Sequence, residues 1–227
     1  MLNLLLEIEY AIRRISNLVL FLSLFMAVSC SSPELEIKSN AQVVKTPVVQ
    51  VSRTPEVKDS LEQAAIRLTE LYDNKNCKEF VNTFPTTFRE FNELYGYEDG
   101  KGEGKLSLKC EEHISYFFNC SEVSDHEKLN KVIRIGIDGK WDADAIAIFQ
   151  ISAFKLVEEN INEAKEILDH LPDEKAASFW YFLFDGPHPN KEQNAVDSLS
   201  NLLGKKSKQS KLLSEQFKKI QIDWKEH

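Results

Sequence analysis

The chain has little glycine and little proline, with only 8 and 7 of them among its 227 residues. These two residue types interrupt helices and build turns, so their scarcity leaves long stretches free to form helices. Runs of alternating valine, isoleucine and threonine, which are typical of half-buried strands, are nearly absent from the second half. The sequence therefore predicts an all-α fold, and 42% hydrophobic with 28% charged residues is typical of a globular domain.

Positive charge is also in short supply, because the formal net charge is −8. Contacts with nucleic-acid phosphates need a basic surface, so no nucleic-acid partner is expected. One segment departs from this balance: residues 205–227 carry seven lysines against three acidic side chains. A basic tail on an acidic body is interpreted either as making intramolecular contacts or as facing an acidic partner or a lipid surface.

The apolar run at residues 18–28 is too short to span a membrane comfortably. It follows a pair of arginines, which is the pattern of a signal peptide. The next residues, Ala27-Val28-Ser29-Cys30, resemble the lipobox of bacterial lipoproteins, with alanine where leucine is preferred. The resemblance implies that signal peptidase II removes residues 1–29 and that lipidated Cys30 becomes the first residue of the mature chain. The alternative is an uncleaved signal anchor or an ordinary secretory signal.

Residues around this segment indicate which membrane holds the protein and where translation begins. Ser31 follows the cysteine where lipoproteins retained in the inner membrane often carry aspartate, which favours the outer membrane over the inner one by analogy. Glu7 and Glu9 are unusual in a positively charged leader. We therefore hypothesise that translation begins nearer Arg13 than Met1.

Residues 30–58 are interpreted as the lipidated cysteine followed by a flexible tether. The segment is rich in Ser, Pro, Val, Thr and Lys, and it contains the steps Thr46-Pro47 and Thr54-Pro55. Because the residue before a proline is pushed out of the helical region, extended chain is expected. A coil of roughly 27 residues would hold the domain on the order of 30 Å from the membrane.

Residues 59–227 are predicted to form the folded domain, an irregular array of about eight to ten helices. Its first helix is expected to start at a capping box beginning with Ser60. The stretch 141–159 is the most apolar helix, and three of its large apolar side chains fall outside its main apolar face. The main face comprises Ile146, Phe149, Ala153, Leu156 and Val157, and the outlying residues are Ile148, Ile151 and Phe154. A helix apolar on most sides is expected to be enclosed by other helices.

Three cysteines follow Cys30, and an oxidising envelope would allow one disulfide among them. Cys110 and Cys120 would lie about 15 Å apart if one helix spans both. Cys77 is therefore expected to pair with Cys110 or Cys120. Three unpaired buried thiols are the alternative.

No motif in the domain predicts catalysis, and no cofactor, metal ligand or catalytic residue is assigned. The glycine-rich loop 96–104 fails the calcium-loop pattern, and Cys110 with His113 offers only two metal ligands one turn apart. Asp185 and His188, in Asp-Gly-Pro-His-Pro, could form an acid–base pair, but no nucleophile motif accompanies them.

Together these features predict a membrane-anchored envelope lipoprotein, attached through lipid on Cys30, whose helical domain binds another macromolecule. The expected partner is a protein, either an envelope assembly partner or a cationic toxin that the acidic domain neutralises as an immunity protein. The alternative is a small envelope hydrolase that uses Asp185 and His188.

Overall fold

The structure is a computed structural model that describes residues 55–98, 100–142 and 145–225. The expected signal peptide, the lipidation site Cys30 and the tether as far as residue 54 lie outside these ranges, so those expectations stay predictions. The sequence also offers Asp142 and Asp144 as caps for the most apolar helix, and Asp144 lies outside the described residues.

The described part of the chain contains ten α-helices and one pair of very short strands, which confirms the all-α, multi-helix class. The helices are α1 (Pro55–Asp73), α2 (Cys77–Thr83), α3 (Phe88–Tyr95), α4 (Cys110–Phe118), α5 (Asp125–Gly136), α6 (Ala145–Glu159), α7 (Ile161–Asp169), α8 (Asp173–Phe184), α9 (Gln193–Leu203) and α10 (Lys208–Asp223). The strands are β1 (Tyr97–Glu98) and β2 (Gly102–Glu103), and single 3₁₀ turns at Ser107–Lys109 and Pro189–Glu192 lead into α4 and α9.

Local capping chemistry sets several helix starts. Thr87 and Ser124 each accept a hydrogen bond from the backbone N–H three residues on, and the glutamate at that position reaches back to complete a capping box. The local sequence predicts one cap at Thr86 or Thr87 and another at Ser124 or Asp125, and the structure has Thr87 and Ser124 in these places. The expected start at Ser60 is wrong, because α1 begins at Pro55 and Ser60 lies within it. Proline suits the first helical position, where its fixed φ is already helical and its missing N–H has no partner to lose.

The glycine-rich loop 96–104 contains two very short paired strands, and most of its described residues are exposed or half-buried, as the sequence predicts for a solvated connection. Tyr97 pairs with Glu103 across the antiparallel strands β1 and β2. Gly100 and Gly102 have φ values of 79° and 84°, a left-handed conformation that glycine adopts without steric cost. The loop is therefore a tight hairpin that needs glycine at both positions.

Helix α6 lies in the core, where it packs against α4, α5, α7 and α8. The five side chains predicted for its main apolar face are all buried. Outside that face, Ile148 and Phe154 are half-buried, while 72% of Ile151 is exposed. The expectation that other helices enclose α6 on all sides is therefore wrong at Ile151, which borders an open groove.

Helices α8 and α10 form an extensive interface that includes a buried polar chain. The indole Nε1 of Trp180 donates to Gln209 Oε1 at 2.9 Å, and both residues are buried. Gln209 Nε2 in turn donates to a carboxylate oxygen of Asp169 at 2.8 Å. Because the side chains of Trp180, Gln209 and Asp169 are hydrogen-bonded in series, the interface buries the large indole without leaving its N–H unpaired.

Cys77, the first residue of α2, is joined by a disulfide to Cys120, which follows α4. Their Cα atoms are 5.6 Å apart. This pairing is one of the two that the sequence left open, and Cys110 is outside the disulfide.

Close helix packing elsewhere depends on a missing side chain. Gly136, the last residue of α5, lies against α8 so closely that a Cβ atom there would be 2.7 Å from a ring carbon of Phe179. Glycine at this position therefore lets α5 and α8 approach each other.

Candidate functional site

The main candidate site is a groove of about 460 Å³ between α6 and the turn that follows α8. Two features that the sequence singles out separately meet here: Ile151 and Phe154, which lie off the main apolar face of α6, and the Asp-Gly-Pro-His-Pro turn. We refer to this feature as the α6 groove.

The floor of the α6 groove is apolar. Ile151 and Phe154 contribute from α6, and Leu183 and Phe184 from the end of α8. The rings of Phe154 and Phe184 meet edge to face with their centroids 6.0 Å apart, which is a favourable arrangement for two aromatic rings. Leu183 and Phe184 are buried beneath this surface, whereas Ile151 is largely exposed, so part of the apolar floor is open.

One wall of the groove is the turn with Pro187 and Pro189, and two hydrogen bonds from α6 hold that turn in place. Gln150 is buried, and its side-chain Nε2 donates to the carbonyl oxygens of Phe182 and Asp185. The two carbonyls lie at the C-terminal end of α8, where backbone oxygens lack partners within the helix. Gln150 thus ties α6 to the start of the proline wall.

Asp185, the residue that follows α8, has a structural role at the same wall of the groove. One carboxylate oxygen accepts the backbone N–H of Trp141 at 2.8 Å, and the other accepts the indole Nε1 of Trp224 at 3.0 Å. The two tryptophan rings meet edge to face with centroids 5.6 Å apart. The carboxylate therefore fastens the segment before α6, the end of α8 and the end of α10 to one another.

The geometry does not make Asp185 and His188 an acid–base pair. Both residues line the α6 groove, but the His188 side chain is exposed. Among the contacts of the described residues, no hydrogen bond or ion pair joins the two. The two oxygens of Asp185 accept N–H groups of Trp141 and Trp224, so within the described residues the carboxylate is oriented by these contacts and not by the His188 imidazole.

The second pair considered from the sequence, Cys110 and His113, lies on α4. His113 is fully buried, and its Nδ1 lies 3.1 Å from the Tyr95 hydroxyl. Burial lowers the pKa of His113 from 6.5 to about 4, a shift that the nearby carboxylate of Glu112 opposes. Within the described ranges, no group of three or more His, Cys, Asp or Glu side chains is arranged to hold a metal ion.

Sequence reasoning found Asp185 and His188 but missed the groove that they border. The missed residues are Trp141, Gln150 and the exposed part of α6. The available signal is the surplus of apolar side chains on α6, from which enclosure by other helices is predicted. An exposed binding surface gives the same sequence pattern, since both require apolar residues beyond one helical face.

No protein-family model, curated protein or solved structure matches this chain. In the part of the chain that the structure describes, no helix combines the length and the apolarity needed to cross a membrane.

Proposed function

We propose that this chain is a bacterial lipoprotein, anchored in the outer membrane through lipid on Cys30, whose helical domain binds a partner protein in the cell envelope. The anchor is inferred from the lipobox-like Ala27-Val28-Ser29-Cys30 after a short apolar run. The observation that supports protein binding is the α6 groove, with its apolar floor and the 72% exposed Ile151.

The shape of the α6 groove favours a protein segment over a small molecule. Small-ligand sites enclose most of their ligand's surface and place a few polar groups at its centre. Here the polar side chains Gln150 and Asp185 are already hydrogen-bonded within the domain. What remains for a partner is the apolar floor with the exposed His188, Lys191 and Glu192 among its lining residues, which suits a loop or helix that inserts an apolar side chain.

The partner is either a component that the lipoprotein helps to assemble or a toxin that it neutralises. A cationic toxin would be attracted by the net charge of −8, and its binding would weaken steeply with salt. Docking in the α6 groove through apolar contact alone would depend little on salt. The salt dependence of binding therefore separates the two kinds of partner.

Photocrosslinking in cells tests the groove. A photoreactive amino acid at position 151 should give one adduct of defined mass in the membrane fraction. The matched control is position 108, because Leu108 is 92% exposed and lies outside the groove. Purified wild-type protein and Leu108→Asp should compete for the adduct, and Ile151→Asp should not. Equal adducts at both positions, or equal competition by both variants, would contradict the groove as the contact surface.

The anchor is tested by intact-mass analysis and membrane fractionation beside Cys30→Ser. We expect a lipid-sized mass increment and membrane retention, both lost on substitution. A soluble wild-type protein with an unmodified Cys30 would refute the anchor.

A further inference from the structure

The basic segment near the C-terminus packs on its own domain through the apolar side chains of α10, but most of its lysines make no ion pair within the described residues. Among the described residues, two of its seven lysines have a partner there: Lys208 forms an ion pair with Asp173 at 2.6 Å, and Lys219 lies over the ring of Tyr181. The other five have exposed positions and no ion pair within the described structure. These five are Lys205, Lys206, Lys211, Lys218 and Lys225.

Three of the five share one face. Lys211 and Lys218 are seven residues apart on α10, which is close to two full turns, so their side chains leave the helix on the same side. Lys225 follows after another seven residues, just beyond the end of α10. We call these three residues the basic stripe, and at about 1.5 Å per residue it extends roughly 20 Å.

The basic stripe also carries exposed apolar surface. Ile222 lies eleven residues, or about three turns, after Lys211 on the same face, and it is 57% exposed. Among the described residues of α10, one acidic side chain, Glu215, lies near this face, and Glu226 follows Lys225 in the sequence. Each lysine has a long apolar stem that ends in a positive charge, and these stems flank an exposed isoleucine. Such a face fits a binding surface that carries negative charge on the outside and apolar groups beneath it.

We propose that the basic stripe binds the anionic headgroups of the membrane in which the chain is anchored, and so sets the orientation of the domain. This inference rests on the proposed lipid anchor. A tether of roughly 27 residues would keep the stripe at an effective concentration in the millimolar range near the bilayer, so weak contacts suffice. The acidic remainder of the domain is repelled by the same headgroups and turns away from them.

The membrane is favoured over an acidic protein by the form of this surface. The charges follow one helix in a line, and the described contacts hold none of them in a fixed position. A fluid layer of phosphate groups can satisfy charges spaced in this way, whereas a protein partner would require a matching line of carboxylates.

Lysine acetylation of the reconstituted full chain tests the proposal. Protein purified from membranes is incorporated into phosphatidylcholine vesicles with and without phosphatidylglycerol, and the acetylation rate of each lysine is measured by mass spectrometry. A contribution of about fivefold for each lysine predicts a preference of roughly 100-fold for the bound orientation. The three stripe lysines should therefore react at least about tenfold more slowly in anionic vesicles. Exposed Lys78 and Lys140 should react equally in both.

A variant pair completes the test. Lys211→Gln/Lys218→Gln should remove most of the protection of Lys225, and the control Lys78→Gln/Lys140→Gln should leave it unchanged. About 1 M NaCl, where the screening length is ~3 Å, should abolish the protection.

Equal acetylation in the two kinds of vesicle would overturn the inference. Protection that is absent from both vesicles but present in native membranes would also overturn it, in favour of a protein partner. Failure of the anchor is a separate observation, since an unanchored chain does not float with phosphatidylcholine vesicles. For an unanchored chain, the acetylation rates of the three stripe lysines in the presence of excess anionic vesicles would still decide whether the stripe binds lipid.

Discussion

Replacing His113 by glutamine should make the domain less sensitive to acid. The imidazole is fully buried on α4, where the rings of Tyr72 and Phe80 lie 4.9 and 5.2 Å away between centroids. Its Nδ1 contacts the Tyr95 hydroxyl, and within the described structure its Nε2 has no hydrogen-bond partner. A protonated ring would need a second acceptor that these surroundings do not supply.

The size of the effect follows from the pKa of His113, which burial lowers from 6.5 to about 4. The folded state keeps the ring neutral, while the unfolded chain takes up a proton as the pH falls below 6.5. Stability linked to His113 is therefore fully present above pH 6.5 and is lost as the pH falls towards 4. At about 1.4 kcal/mol per pH unit, the loss approaches ~3 kcal/mol. The charges of Glu112, Lys109 and Asp73 also act on the ring, but burial is the largest cause.

Urea unfolding at pH 7 and near pH 4 measures this loss. Wild type should lose about 3 kcal/mol more free energy of unfolding between the two conditions than His113→Gln does. The matched control is His126→Gln, because the His126 side chain is 58% exposed and its replacement should leave the wild-type loss nearly intact. Equal losses in wild type and His113→Gln would refute the reasoning, as would an imidazole proton resonance of His113 that titrates near pH 6.5.

Three further changes test the packing and the ties described above. Gly136→Ala should lower the free energy of unfolding by about 1–3 kcal/mol, because the added methyl group meets a phenyl ring of α8, and thermal unfolding measures this. Changing both Cys77 and Cys120 to serine should cost up to about 4 kcal/mol, because the disulfide closes a loop with a sequence separation of 43; an equally stable reduced protein would contradict this. Asp185→Ala should cost about 1–3 kcal/mol by leaving two tryptophan N–H groups without their acceptor, and stability unchanged in urea unfolding would show that the tie is weak.

Helix starts could be predicted where a few neighbouring residues decide them. Thr87 and Ser124 carry their signal within four residues, since the cap and its glutamate satisfy each other's backbone groups. The sequence places the start of α1 too late, because Ser60 begins a pattern that resembles a capping box and Pro55 falls in the segment interpreted as the tether. Pro55 and Ser60 are both acceptable at the beginning of a helix, and the sequence pattern alone does not show which of them begins α1.

Features that depend on distant neighbours could not be predicted in the same way. The periodicity of α6 identified which side chains are buried but not that the surface at Ile151 is left uncovered. His113 stood out only as a possible metal ligand beside Cys110, because nothing near it in sequence indicates burial among aromatic rings. The disulfide partner of Cys77 likewise depends on where α2 and α4 meet.

The α6 groove illustrates how residues that suggest catalysis can instead give a surface its shape. Gln150 and Asp185 use their polar atoms to fix the end of α8, so the wall with Pro187 and Pro189 is held before any partner arrives. A partner that docks there does not have to order the wall, and less of its binding energy is lost to conformational entropy. The hydrogen bonds that fix Gln150 and Asp185 are therefore consistent with the proposal that the groove is a preformed binding surface.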